Sequence, residues 1–172
     1  RRQRQMCIRD RRGFGVEISD WYAFEPDPEN FIKLTTFART CDARANLSPC
    51  GLSARTEQMR FAAGQDTGSR IVEDAEAGVV IQCLAIDEAF ANTPFDYVKL
   101  DIEGAECSAL DGMSNMIAKY RPRLAVSAYH KPDDLWSIPL KLRSLLPDAP
   151  IYLRQHYPNT FEIVAYAIPQ GR

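Results

Sequence analysis

The chain has 172 residues, 45% of them apolar, enough for one domain with a proper core. No stretch approaches the roughly 20 apolar residues of a membrane span, and the start lacks the apolar segment of a secretory signal, so the chain reads as soluble and cytoplasmic with no membrane partner. Five cysteines, with no CxxC pair and only two histidines, exclude a disulfide or zinc framework; Cys41, Cys50, Cys83 and Cys107 read as reduced residues in or near the core.

The net charge of −2 is unevenly spread. Residues 1–12 hold six arginines against Asp10, a net of +5 that leaves −7 on the other 160 residues. This basic arm has no helical period and no aromatic residue, and it resembles translated adapter sequence. It is set aside as non-native-looking, and residues 13–172 are read as a single domain. A basic arm on an acidic body also suits a nucleic-acid tail, but the acidic body opposes phosphate binding, and no nucleic-acid partner is expected.

Past Gly13 and Gly15, the aromatic run 21–24 predicts a buried strand, stopped at Glu25-Pro26. Asp27 before Pro28 has the form of a helix N-cap with proline at the first helical position. Phe31, Leu34, Phe37 and Ala38 then recur at helical spacing, predicting an amphipathic helix over 28–39. Alternating pieces at 47–52, 58–62 and 79–84, separated by turn-rich segments at 64–69 and 73–78, predict a core strand followed by a β-hairpin-like excursion. A helical turn at 87–90 is broken by Thr93-Pro94 ahead of a strand from Phe95. After Gly104, Leu110, Met113, Ile117 and Tyr120 keep the spacing of one core-facing helix that Pro122 stops. Residues 124–129 form the next strand, ending in His130-Lys131-Pro132. Asp133 and Asp134 open a helix with an apolar stripe of Leu135, Ile138, Leu142 and Leu145, which contains Pro139 and ends at Pro147. Segments 151–157 and 161–168 flank Pro158-Asn159-Thr160, a hairpin signal. The alternation describes an α/β sheet with right-handed crossovers, closed by an antiparallel hairpin.

The most informative stretch is F-D-Y-V-K-L-D-I-E-G-A-E, residues 95–106. It reads as a buried strand delivering charges at its carboxyl end, where ligands bind in open α/β sheets. Period-two alternation places Tyr97, Lys99, Asp101 and Glu103 on one face and Val98, Leu100 and Ile102 on the other. Burying a lysine beside two acids is costly unless they are paired or used. Two readings stay open: a Lys99–Asp101 pair closing the sheet end with Glu103 capping the next helix, or a functional site. Glu25 likewise is either an acid favouring the dipole of the following helix or a ligand contact at a strand end. His130 is either a surface or capping residue or a base of suitable pKa. No metal centre is expected, although Asp101, Glu103 and Glu106 could hold an ion adventitiously.

Three segments in order, Y-A-F-E-P-D-P-E-N-F (22–31), L-A-I-D-E (84–88) followed by V-K-L-D-I-E-G-A-E (98–106), and Y-L-R-Q-H-Y (152–157) with V-A-Y-A-I-P (164–169), resemble the FkbM-type methyltransferases. The resemblance covers residues 20–169. It implies a Rossmann-like class I methyltransferase sheet, S-adenosylmethionine as cofactor, and O-methylation of a hydroxyl on a sugar, polyketide or other small metabolite; the partner would be a small-molecule or glycan acceptor. By position it implies that Glu25 grips the cofactor's ribose hydroxyls, both of which one carboxylate can accept. It implies that Asp101 and Glu103 lie beside the transferred methyl, and that the turn at Gly51-Leu52-Ser53 lies near the adenine, which makes Ser53 a cofactor-binding residue. Asp101 would orient or deprotonate the acceptor hydroxyl, Lys99 would hold Asp101 ionised, and His130 is a second base; His156 could line the acceptor side.

The sequence departs from that family at its start. A glycine-rich loop after the first strand normally lets backbone approach the methionine end of the cofactor, and here only Gly13-Phe14-Gly15 precedes the Glu25 strand. The first strand, its loop and the following helix are expected to be missing. The isolated chain is then expected to expose sheet edges, to bind cofactor poorly or not at all, and to be inactive as a fragment. Two rival readings remain. A nicotinamide oxidoreductase suits an acid after the second strand but lacks G-x-G-x-x-G. A non-enzymatic binding module would use the basic arm, without an exposed basic-aromatic face. A glycosyltransferase finds no D-x-D motif among Asp87, Asp96 and Asp101.

Overall fold

The computed structural model describes residues 18–62, 70–72, 78–157 and 162–170. The arginine-rich arm, Gly13 and Gly15, the segments 64–69 and 73–77, and the turn Pro158-Asn159-Thr160 lie outside the described residues. The chain forms two compact units that divide between Pro49 and Cys50.

The first unit contains β1 (Asp20–Phe24), α1 (Pro28–Ala38) and β2 (Arg44–Ser48). The Asp27 carboxylate accepts the Asn30 N–H at 2.9 Å, so α1 starts with the cap and proline that the sequence predicts. β1 and β2 pair in parallel, from Asp20 opposite Arg44 to Phe24 opposite Ser48. Parallel neighbours need a crossover, and α1 supplies it. Trp21 meets Phe37 edge-on at 6.3 Å between ring centres, fixing helix to strand, and Phe31, Leu34, Phe37 and Ala38 are all half-buried. The expected strand over 47–52 is broken at Pro49, which has no N–H for a ladder; its front belongs to β2 and its end becomes β3 (Gly51–Leu52).

In the second unit β3, β4 (Glu57–Ala62), β5 (Arg70–Val72) and β6 (Val79–Leu84) form a sheet in the order β3-β6-β4-β5. β3 runs parallel to β6, while β4 is antiparallel to both β6 and β5, so the hairpin-like excursion carries a third strand. There follow α2 (Ile86–Ala89), β7 (Tyr97–Leu100), α3 (Glu106–Asp111), α4 (Ser114–Tyr120), β8 (Arg123–Ser127), α5 (Asp134–Leu145), β9 (Ile151–Gln155) and β10 (Ile163–Ala167). These last strands form a sheet in the order β7-β8-β10-β9. β7 and β8 are parallel, and β10 is antiparallel to both β8 and β9. β9 therefore points the same way as β8, with the reversed β10 inserted between them. This is the α/β sheet with a terminal antiparallel hairpin that the sequence predicts.

Two helices differ from expectation. The single helix after Gly104 is two, α3 and α4, broken at Gly112. A Cβ at Gly112 would stand 2.0 Å from the Ser53 carbonyl oxygen, and the Gly112 carbonyl accepts the Asp87 N–H at 2.8 Å. The Asp87 carboxylate in turn accepts the Asn115 and Met116 N–H groups, each at 2.8 Å, and so caps α4 from another element. In α5 the buried positions are Asp134, Ile138 and Leu142, whereas Leu135 is 44% exposed and Leu145 half-buried. The stripe is thus turned by one position from the one read in the sequence, because an acid occupies the inner face of the first turn. Pro139 sits within α5.

The second unit's core joins Leu100, Leu124 and Val126 of the sheet to Leu110, Met113, Ile117, Ile138 and Leu142 of the helices, all almost fully buried. Each such side chain contributes about 1.5–3 kcal/mol by leaving water. Cys41, Cys50, Cys83 and Cys107 are free thiols, with Cys50 and Cys83 buried, as expected. Among the described residues no helix is long and apolar enough to cross a membrane.

Candidate active site

The carboxyl ends of β7 and β8 bring the charges together. The last ladder pair is Leu100 opposite Val126, so Asp101 and Ser127 stand side by side one residue on. The Ser127 hydroxyl donates to Asp101 Oδ1 at 2.9 Å, and the Tyr129 hydroxyl donates to the same oxygen at 3.1 Å. Lys99, two residues earlier and on the same face, holds its ammonium 3.5 Å from Oδ2. Burial alone would raise the Asp101 carboxyl, but Lys99, the Ser127 hydroxyl, His130 and the Tyr129 hydroxyl together hold it below its ordinary value. Burial and the adjacent Asp101 push the Tyr129 hydroxyl up, so it stays a donor.

Glu103 arrives by another route. β7 ends at Leu100, so alternation does not carry to Glu103; a left-handed turn does, with φ 56° at Glu103 and 93° at Gly104. Gly104 is required by its φ, while a Cβ there would meet only the flexible Lys131 Cε closely, at 3.0 Å. Nor does Glu103 cap α3, whose N-cap residue is Ala105 with no side-chain cap. The turn instead swings Glu106 beneath it. Glu106 is 1% exposed, and its Oε1 accepts the Ile102 N–H at 2.9 Å.

His130 is the hub. Its side chain is only 7% exposed, which removes the surface reading. Nδ1 lies 2.8 Å from Glu106 Oε1, and Nε2 lies 3.6 Å from both Asp101 Oδ1 and Glu103 Oε2. Burial would lower its pKa, but Glu106, then Glu103 and Asp101, outweigh burial and raise it. Tyr129 packs against the imidazole at 4.2 Å between ring centres. Asp134, also buried, accepts the Lys131 N–H at 2.7 Å; burial is the main influence raising its carboxyl.

The structure thus gathers Lys99, Asp101, Glu103 and His130 into one cluster. Ser53 is buried elsewhere in the same unit, its hydroxyl 3.3 Å from Glu57 Oε1 and 3.4 Å from Ser108 Oγ, its N–H donating to the Leu84 carbonyl. Glu25 belongs to the first unit, at the carboxyl end of β1, where it is 7% exposed and accepts the Asp27 N–H at 3.2 Å. His156 Nε2 lies 2.8 Å from the Tyr166 hydroxyl. Sequence reasoning missed Ser127, Tyr129 and Asp134 and gave Glu106 no structural part. Ser127 and Tyr129 alternate along the strand before His130, which is a usable signal; Asp134 carried none beyond an acid at a helix start.

The methyltransferase FkbM domain model matches residues 5–157, beginning inside the arginine-rich arm. Comparison with curated proteins returns no match. Among solved structures the chain is similar to methyltransferase FkbM from Methylobacillus flagellatus KT, with a TM-score of 0.75 and 25% identity over 95% of this chain. It spans 40% of that protein's length. The strand order, the acid-bearing strand end and the extent of this match agree: the chain belongs to the methyltransferase FkbM domain family.

Proposed function

We propose that the chain acts in S-adenosylmethionine-dependent methyl transfer to a hydroxyl of a sugar or other small metabolite, with Asp101 orienting that hydroxyl. The observation carrying this reading is the setting of Asp101: a carboxylate at the end of a parallel strand, held by two hydroxyl donors and a lysine, with a buried imidazole 3.6 Å away. An acid with a perturbed pKa and several specific partners, at the strand end where α/β sheets bind ligands, is the arrangement of a functional site.

The first unit fits the cofactor's ribose. Glu25 is a buried carboxylate at the end of β1, oriented by the Asp27 N–H, and a carboxylate suits a vicinal diol. Ser53 offers less, since its hydroxyl and N–H are both engaged within the unit. When bound, S-adenosylmethionine supplies an electrophilic methyl on a sulfonium. The chain's part is then alignment: Asp101 accepts the acceptor's O–H, Lys99 keeps Asp101 ionised, and His130 with Glu103 flanks it. Asp101, held low in pKa, is a weak base, so orientation outweighs proton abstraction.

The test is calorimetric titration of S-adenosylhomocysteine into the chain and into a version preceded by a glycine-rich strand and loop. Micromolar binding by the extended form, weakened about tenfold or more by Glu25→Ala, supports the reading. Preferential binding of NAD by the same protein overturns it.

A further inference from the structure

We propose that Glu106, His130 and Asp134 form a binding site for one divalent transition-metal ion, Zn2+ or Mn2+, beneath the Asp101 cluster. Each residue offers a ligand atom, and these atoms lie within 4.8 Å of one another. Acids near a histidine are common without an ion, but burial sets this group apart. Glu106 is 1% and Asp134 4% exposed. Among the described residues, the second carboxylate oxygen of Glu106 is buried without a hydrogen-bond partner, and neither ring nitrogen of His130 makes a hydrogen bond of regular geometry despite its close contacts. A buried carboxylate oxygen without a donor costs stability unless something positive meets it.

Charge points the same way. Among the described residues, the four carboxylates of Asp101, Glu103, Glu106 and Asp134 stand against two paired positive groups, the Lys99 ammonium and the His130 imidazole. A dication offsets that excess where a backbone N–H cannot. The donor set selects the ion: one imidazole with two carboxylates suits Zn2+ or Mn2+, whereas Mg2+ prefers oxygen ligands and retained water. Tetrahedral zinc holds its ligand atoms about 3.4 Å apart, so a pair near the 4.8 Å limit must draw in while Glu106 Oε1 and His130 Nδ1, now 2.8 Å apart, part slightly. The Ile102 and Lys131 N–H groups, at 2.9 and 2.7 Å from the Glu106 and Asp134 carboxylates, orient them for this role.

One consequence rests on the methyl-transfer reading, although the site does not. A metal on His130 Nδ1 leaves the ring proton on Nε2, which faces Asp101 and Glu103 at 3.6 Å. The imidazole then keeps its N–H turned towards the residue that orients the acceptor.

The test is zinc titration of chelator-treated chain, followed by calorimetry and by the visible spectrum of the cobalt-substituted protein, with folding checked by circular dichroism. One ion per chain is expected. Glu106→Gln and Asp134→Asn should each weaken binding about tenfold or more, and Glu103→Gln, on the far ring nitrogen, should leave it within about twofold. His130→Gln should remove the nitrogen-ligand signature of the cobalt spectrum. No binding by the folded chain overturns the site, as does equal binding by folded Asp134→Asn, which decides the matter should Glu106→Gln not fold. The readout is metal uptake, so its failure leaves the methyl-transfer reading to its own test.

Discussion

Asp101 gathers its partners from two strands, and each contact follows from register. Lys99 lies two residues back on β7, and Ser127 and Tyr129 lie two apart at the end of β8. Asp101→Asn keeps the size and an acceptor oxygen but removes the charge. On the methyl-transfer reading, this change in the form extended by a glycine-rich strand and loop should lower kcat by about a hundredfold through lost orientation of the acceptor; a loss under about threefold would remove its role. Cys50 tests burial away from the site. Burial, then the neighbouring Cys83 thiol, pushes its pKa up to about 11 from 9.0, while Glu57 acts on Cys83 as well. The folded state holds this proton more tightly, so the contribution is intact below pH 9 and is lost as pH rises towards 11. Denaturant midpoints measured from pH 8 to 11 should fall over that window for the chain and fall less for Cys50→Ala. The Lys99–Asp101 pairing was legible because two-residue spacing is local. The place of Glu106 was not, because it depends on the left-handed turn at Glu103 and Gly104.

At the scale of elements, α3 and α4 show where periodicity stops being informative. Leu110, Met113 and Ile117 do face the core as one stripe would, yet the axis breaks because Gly112 must let the Ser53 carbonyl approach. That contact spans 59 residues of sequence, between positions 53 and 112, and no local pattern encodes it. Gly112→Ala should destabilise the fold by about 3 kcal/mol or more through overpacking against backbone that cannot yield, read as a drop in melting temperature. Asp87 gives the companion case. Its two hydrogen bonds to the first turn of α4 make it a cap supplied from α2, so Asp87→Ala should cost about 1–2 kcal/mol. Asp87→Asn retains one acceptor oxygen and should cost less; equal losses would show that charge, not capping, matters there. Pro139 frees the Leu135 carbonyl inside α5, where Leu135, Trp136 and Leu140 are exposed and solvent can meet it.

For the whole molecule, the sequence carried the order of strands and helices well, since each β–α alternation and the closing hairpin are locally written. It carried less of the pairing: that β10 lies between β8 and β9 is a long-range fact. The same arrangement sets a gradient of stability across the sheet. β8 and β10 have neighbours on both sides and contribute Leu124, Val126, Ala165 and Ala167, each at most 1% exposed. β9 pairs only with β10 among the described strands, with Tyr152 and Leu153 about half exposed. Local opening of an edge strand breaks one ladder, whereas opening β8 or β10 breaks two and exposes the core. Amides of β8 and β10 should therefore exchange hydrogen only through global unfolding. Those of β9 that face away from β10 should exchange orders of magnitude faster, and those facing β10 at an intermediate rate. Hydrogen exchange resolved by residue decides this: protection in β9 matching that in β10 would mean that something else covers the edge, and the gradient argued here would fail.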